Sequence, residues 1–575
     1  MPTSEISEPL LQALHDALVG QAREWAGSQG LDVPGELPLA APPSHVKADI
    51  SLSWALGLAK ITKGSPMAIA AALAGRFSRL PEVAEASVSS PGFVNLRLKE
   101  TALVAEAENG LFHDGPYKPR NLKRKILIEF VSANPTGPLH AASGRGATLG
   151  DALARILRML GHEVAMEYYV NDCGRQVDML GRSLEARRDG KPVPEDGYHG
   201  SYLEDLARQL PAQAKTWSAT ELSRYAVDAL LKTHQEDMRA FDVHFDRYFR
   251  ESELHARKAL EATLDRLKSL GAVYEKEGAV WFKRPEEAAS AEDDKDRVLV
   301  RADGRPTYFL ADIAYHEDKY SRGYPELIDI WGADHHGYVP RLKGALEALG
   351  RAPAGFHVIL HQLIRLMRGN EAVKMSKRAG EFVRLKDLVD EVGKDACRFF
   401  FAMRSPGSHL VFDLELAKKQ TAENPVYYCQ YVHARVCSIF REAGKRGFPA
   451  SPEALRGAVQ AEVRAPSGPS GEALAPRGAA LPAEAAFAKE ERDLLVKIAW
   501  FPETLAACER ELSPHPLATY LLELAGLFHP FYEKCRVLDP ADRERTAFRL
   551  LLIAGVRGTI ARGLELLGVS APESM

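Results

Sequence analysis

Several groups of residues in this sequence could do chemistry. His140 and Ser143 follow a turn, Asn134-Pro135-Thr136-Gly137-Pro138, and open a helical pattern through Leu149, Leu153, Ile156 and Leu157. A helix start of this kind gathers free backbone N–H groups and the positive end of the helix dipole, which together favour phosphate oxygens. Ala141, Ala142, Gly144 and Gly146 are small enough for a flat base or a triphosphate to approach the backbone. A second group, Val373-Lys374-Met375-Ser376-Lys377-Arg378-Ala379-Gly380, is a basic loop with a serine and a glycine, able to close over a triphosphate. Tyr308 and Asp312 stand four residues apart, so a helix would put them on one face. A carboxylate beside an aromatic ring can cradle a guanidinium by a bidentate ion pair and stacking. For two isolated residues, a surface i,i+4 pair is the simpler account. Asp334-His335-His336 lacks the helical i,i+4 spacing of a zinc site, so nucleotide contact is favoured over metal.

The elements that must position these residues are legible around them. Ile126 to Val131 is an apolar, β-branched run suited to a buried parallel strand. The two prolines and the glycine after it stop both strand and helix. Leu327 to Trp331 predicts another strand, running into Gly332-Ala333-Asp334. In doubly wound sheets ligands sit beyond the carboxyl ends of strands, which puts Asp334 forward as an amino-acid or ribose ligand. Val298 to Val300 predicts a strand that opens the second half of the fold, and two tyrosines, Tyr168 and Tyr169, end a strand before an Asn-Asp turn.

Composition narrows the class. A chain of 575 residues has room for about three domains and large cores. The 46% apolar and 26% charged fractions are those of an ordinary soluble protein. The net charge of −4 gives no global basic field, although a local patch can still bind nucleic acid. Six cysteines without a CxxC pair imply free thiols in a reducing compartment and argue against a zinc site. The N-terminus has no basic n-region, and no apolar run approaches membrane-spanning length, so the expectation is a cytoplasmic, membrane-free protein.

The stretch from Glu129 to Ser143 resembles the first signature of class I aminoacyl-tRNA synthetases, and in particular of arginyl-tRNA synthetases. Lys374-Met375-Ser376-Lys377-Arg378 is similar to the second signature of that class, the Lys-Met-Ser-Lys-Ser loop. Two departures stand out: Ala142 occupies a usual glycine, and Ser143 stands where the family has its second histidine. The resemblance implies a multidomain α/β protein with a Rossmann-like doubly wound parallel sheet as catalytic core. It further implies ATP as a substrate with Mg²⁺ on the nucleotide, and L-arginine and tRNA(Arg) as partners. Pro138, His140, Ala142, Ser143, Met375 and Ser376 would form the ATP site, with His140, Ser143, Lys374 and Lys377 catalytic. Tyr308 and Asp312 would hold the guanidinium, Glu129 would add a further acid, and Asn134 would hold the α-amino group; Asp334, put forward by its place after the strand, joins the substrate set. No protein-bound metal and no covalent nucleophile are implied. Activation is expected to require bound tRNA.

The flanks agree with this expectation. Residues 1–115 predict a small α+β module, with helices over Leu10 to Ala22, Ala55 to Ile61 and Met67 to Phe77, and strands over Val83 to Val88 and Phe93 to Leu98. The resemblance makes this the additional tRNA-contacting domain of a bacterial-type enzyme. Residues 116–390 would be catalytic, with a polar insertion at about 180–290. A basic run, Lys118 to Lys125, precedes the first core strand. Residues 391–575 predict an all-helical anticodon-binding domain broken by a flexible Ala/Pro/Gly-rich loop at 465–482. The expected assembly is a monomer. Two alternatives stay open: a paralogue that makes arginyl-adenylate for a non-tRNA acceptor, which Ala142 and Ser143 keep alive, and an inactive tRNA-binding protein.

Overall fold

The computed structural model describes residues 8–32, 37–43, 45–112, 117, 123–283, 297–373, 383–451, 454–455 and 487–575. At its centre lie five parallel strands: β1 (Lys125–Glu129), β2 (Glu163–Val170), β3 (Arg247–Arg250), β4 (Glu326–Gly332) and β5 (Phe356–His361). Their order is β5-β4-β1-β2-β3. The chain starts in the middle, adds β2 and β3 on one side, then returns to lay β4 and β5 on the other. Winding therefore reverses between β1 and β4, and such a reversal opens a crevice beyond the carboxyl ends.

Ile126, Leu127 and Ile128 of β1 are buried, as an apolar run covered on both faces requires. The strand ends at Glu129, two residues before the predicted boundary, because Val131 and Ser132 turn into the left-handed region with φ of 67° and 39°. A β-branched residue rarely adopts that conformation, and the turn redirects the chain across the strand end. Helix α1 (Ala141–Met159) then packs back over the sheet. Gly150 permits the approach, since a Cβ there would lie 2.3 Å from the Phe130 ring.

The stretch 180–290, expected to be an insertion, does not stand apart from the sheet. Arg247–Arg250 pairs in parallel with Glu167–Val170 and forms the sheet's edge. Its sequence, RYFR, is too short and too charged to signal a core strand, and short charged strands are a common way to protect an edge. Arg297–Val300, which contains the predicted opening strand of the second half, joins a separate antiparallel sheet with Val273–Lys276 and Ala279–Phe282.

Before the core, strands Ile50–Leu52, Val83–Ser89 and Phe93–Leu98 form an antiparallel sheet with helices Leu10–Ser28, Trp54–Thr62 and Pro66–Phe77. After it come the long helices Pro425–Lys445, Lys489–Ala499, Phe501–Glu511, His515–Lys534 and Arg543–Leu566. Arg492 joins the two ends of the chain, donating to both oxygens of Asp49 at 2.8 Å.

Candidate active site

A cavity of about 380 Å³ lies at the reversal between β1 and β4. Glu129, Ser132 and Asn134 reach it from β1 and the turn after it, while Asp329 and Trp331 reach it from β4. Helix α2 (Tyr308–Ser321) contributes Asp312, Tyr315 and His316. Ala142, Ser143 and Gly146 of α1 form the opposite side, and Tyr169, His335, Tyr338 and His361 also line it.

The turn between β1 and α1 is fastened from outside. The Tyr168 hydroxyl donates to the Ala133 carbonyl at 2.9 Å, and the Tyr202 hydroxyl donates to the Thr136 carbonyl at 2.7 Å. His234 Nε2 meets the Gly137 carbonyl at 2.7 Å, and its Nδ1 lies 3.0 Å from the Tyr168 hydroxyl. Tyr202 and His234 come from helices Ser201–Arg208 and Ala219–Ala240. The polar stretch after residue 180 thus supplies two of the side chains that hold the turn.

The acids are organised by burial. Lys319, with no exposed surface, donates to Glu129 Oε2 at 2.5 Å and to Asp329 Oδ1 at 2.9 Å. Ser132 Oγ donates to Glu129 Oε1 at 2.8 Å and accepts from the Tyr169 N–H at 3.1 Å. His316 Nε2 lies 2.8 Å from Asp329 Oδ2, and its Nδ1 lies 2.8 Å from the Asp312 carbonyl. Burial raises the Glu129 carboxyl above its ordinary range, against the pull of Lys319. Burial also opposes the charge on Asp329, but Lys319 and His316 overcome it and hold that carboxyl low. Asp312 accepts a hydrogen bond from the Tyr338 hydroxyl. Burial nevertheless pushes its carboxyl up to about 6, with the Tyr338 bond and His316 working the other way. A cation placed beside Asp312 would relieve that cost.

Of the residues picked from the sequence, Glu129, Asn134, Ala142, Ser143 and Asp312 meet in this cavity. Asn134 Nδ2 donates to Gln176 Oε1 at 2.8 Å. Pro138 and His140 lie just before α1, outside the lining, with His140 as the helix N-cap in extended conformation (φ −96°, ψ 164°). Tyr308 starts α2, outside the lining, and is 54% exposed; a Cβ on Gly174 would lie 3.4 Å from its hydroxyl. Asp334 is not brought into the cavity: it follows β4 on the short turn Ala333–Tyr338, and its side chain is 82% exposed. Lys374, Met375, Ser376 and Lys377 lie outside the described residues, as do residues 118–122 of the basic run and the 465–482 loop. The residues that follow 374–382 pair with the His140 turn: the Ala141 N–H donates to the Val383 carbonyl at 3.1 Å, and the Leu385 N–H donates to the Leu139 carbonyl at 2.9 Å.

Sequence reasoning missed Ser132, Tyr315, His316, Lys319, Asp329 and Tyr338. A signal was present for most of them. Tyr315, His316 and Lys319 follow Asp312 at three, four and seven residues, a polar stripe on a helix face that should be apolar. Asp329 is a lone carboxylate inside the apolar run of β4.

The reversing parallel sheet, with its cavity below a helix start, is a doubly wound architecture of the kind that binds nucleotides at the reversal. Residues 106–196 and 205–401 match the model of the tRNA synthetases class I (R) catalytic domain. Residues 4–98 match the arginyl tRNA synthetase N terminal domain, and 470–575 match the DALR anticodon binding domain. An arginine–tRNA ligase of Elusimicrobium minutum is 50% identical, covering 93% of this chain and 95% of its own. One from Desulforudis audaxviator is 43% identical, covering 98% and 99%. The Thermus thermophilus arginyl-tRNA synthetase structure superposes with a TM-score of 0.76 at 25% identity, covering 98% of this chain and all (100%) of that one. The chain belongs to the arginyl-tRNA synthetase family.

Proposed function

We propose that this chain is an ATP-dependent arginine–tRNA ligase that activates L-arginine and transfers it to the terminal ribose of tRNA(Arg). The observation that carries the reading is the acid-lined cavity at the sheet reversal, where Asp312 and Glu129 face the first turn of α1. Asp312 takes the substrate guanidinium, with Tyr308 stacking on it from the start of the same helix and Glu129 adding a second acid. Asn134 accepts from the α-amino group. Pro138, His140, Ala142 and Ser143 seat ATP at the helix start, and Met375 and Ser376 bound its far side.

The chemistry is positioning and charge stabilisation. The arginine carboxylate attacks the α-phosphate, an oxygen–phosphorus bond forms, and pyrophosphate leaves with the electrons of the broken anhydride. His140, Lys374 and Lys377 stabilise the charge that moves onto the leaving phosphates. A ribose hydroxyl of tRNA then attacks the adenylate carbonyl, forming the ester and releasing AMP. Among the described residues no cluster of three His, Cys, Asp or Glu side chains is arranged for a metal ion. We assign Mg²⁺ to the phosphates, as part of the substrate, in keeping with the ion's preference for phosphates and water. No step depends on a protein-held metal.

Residues 1–115, 116–390 and 391–575 serve as tRNA-contacting, catalytic and anticodon-binding domains in this scheme. We place the enzyme in the cytoplasm as a monomer, a location supported by six cysteines that are all free. No helix among the described residues is long and apolar enough to cross a membrane. The test is arginine-dependent pyrophosphate exchange with and without tRNA, together with charging of tRNA(Arg). Charging with tRNA-dependent exchange is the expected result. Exchange without charging contradicts the acceptor, and absence of both contradicts the reading.

A further inference from the structure

Behind the cavity, three carboxylates lie side by side across neighbouring strands. Asp329 of β4 is in register with Glu129 of β1, and Glu129 with Glu167 of β2. Like charges directly opposed across strands repel, so this rung requires cations. Helix α2 supplies one, and the residue that follows the helix supplies another. Lys319 spans Glu129 and Asp329, while Arg322 donates to both oxygens of Glu167 at 2.7 and 2.8 Å. Tyr315 adds a hydroxyl to Glu167 at 2.8 Å. Asp312, one to two turns earlier on the same helix face, receives only the Tyr338 hydroxyl among the described residues. No lysine or arginine lines the cavity among the described residues.

We propose that Lys319 is a positioning residue that determines specificity for the cationic substrate: it ties Glu129 Oε2 to Asp329, leaving Oε1 at the Ser132 end and Asp312 as the cavity's carboxylate without a protein cation. Lys319 itself touches no substrate. The inference rests on the arginine reading of this cavity. A purely structural rung could be built from apolar residues, since buried ion pairs are costly to assemble. Here the pair instead sets which carboxylate remains for a guanidinium.

The groups facing Glu129 are Lys319, His316, Asp312 and Tyr315 from α2, Asp329 from β4, Glu167 and Tyr169 from β2, and Ser132 from the turn. Lys319 is the closest cation of this set. Its removal leaves Glu129 buried beside three acids, conditions that favour the protonated carboxyl.

The test uses the full chain with tRNA and compares Lys319→Met, Glu129→Gln and the double variant. Lys319→Met is expected to lower kcat/KM for arginine about 100-fold, mainly through KM, as expected for an orphaned buried charge. The KM for ATP should stay within about twofold. The variant should also show a new acid titration in its arginine kcat/KM, which Glu129→Gln abolishes. The double variant should fall no further than the less active single variant, because the effect on arginine runs through Glu129 while His316 keeps its contact with Asp329. If Lys319→Met does not fold, Glu129→Gln against the double variant still decides, with Lys319 expected to add nothing once Glu129 is neutral. Equal losses toward arginine and ATP with an unchanged pH profile, or losses that multiply in the double variant, overturn the proposal alone. A wild-type chain without arginine-dependent exchange overturns it together with the functional reading.

Discussion

Across the cavity, Asp312 and Glu129 on one side meet Ala142, Ser143 and Gly146 on the other, and the two sides work by different chemistry. The acid side is a counted set of charges. Lys319 compensates Glu129 and Asp329, Arg322 compensates Glu167, and Asp312 is left with a tyrosine hydroxyl. The α1 side has small side chains and a helix start, with no charge among the lining residues it contributes. A charge-counted wall is intolerant of change, because every removed partner strands another in low dielectric. A wall of small residues tolerates change as long as space remains. Substitutions on the two sides should therefore differ in size and in which substrate they affect.

The largest effect is expected at Asp312. Asp312→Ala should lower kcat/KM for arginine about 1,000-fold, the cost of removing one member of a buried charge pair. Exchange kinetics with both substrates varied should leave the KM for ATP within about twofold. A parallel rise in the KM for ATP would erase the distinction between the sides.

His234→Ala tests the turn that joins them. Loss of the contacts to Gly137 and Tyr168 leaves a half-buried carbonyl unpaired, so activity toward both substrates should fall about tenfold, with a lower Tm. An effect confined to one substrate would show that the turn does not link the sides.

The pH dependence sharpens the charge count. The Asp312 carboxyl is raised from its ordinary 3.8 to about 6 in the free protein. Its contribution to stability is therefore complete below about 3.8 and is lost as pH rises through about 6. Arginine binding has the opposite sign, since the cation needs the carboxylate, so affinity should strengthen as pH rises through about 6. Tyr338→Phe removes a hydrogen bond to the charged form and should move that limb up by about one pH unit, the worth of one such bond. Calorimetric titration of arginine from pH 5 to 8 reads both, and a flat profile would remove Asp312 from the site.

The smallest effects are expected at the family departures. Ala142→Gly and Ser143→His should change the KM for ATP less than threefold, about 0.5 kcal/mol, and leave arginine unaffected. Steady-state exchange would detect a larger loss, which would show that local packing at α1 has diverged.

Much of the cavity was legible because its parts carry strong local signals. The apolar run of β1, the Pro/Gly turn and the helical period of α1 each point to one structure, and Tyr308 and Asp312 do fall on one helix. What was hidden depends on register between distant segments. Nothing local to Lys319 says that it meets Glu129, 190 residues earlier. β3 escaped notice because an edge strand of four residues with two arginines carries no apolar pattern. Asp334 is placed less directly than its position after a strand end suggested: it lies on the short turn from Ala333, whose His335 and Tyr338 line the cavity, with its own side chain largely exposed.

The most direct test of the charge-counted wall is the ratio of kcat/KM for arginine over lysine in tRNA charging. A site whose acceptors are arranged for a planar, five-donor cation leaves them unpaired around an ammonium. The ratio predicted for the wild-type chain is about 10,000 or more. A ratio below about 100 would mean that the cavity selects only for positive charge and length, and would contradict the account.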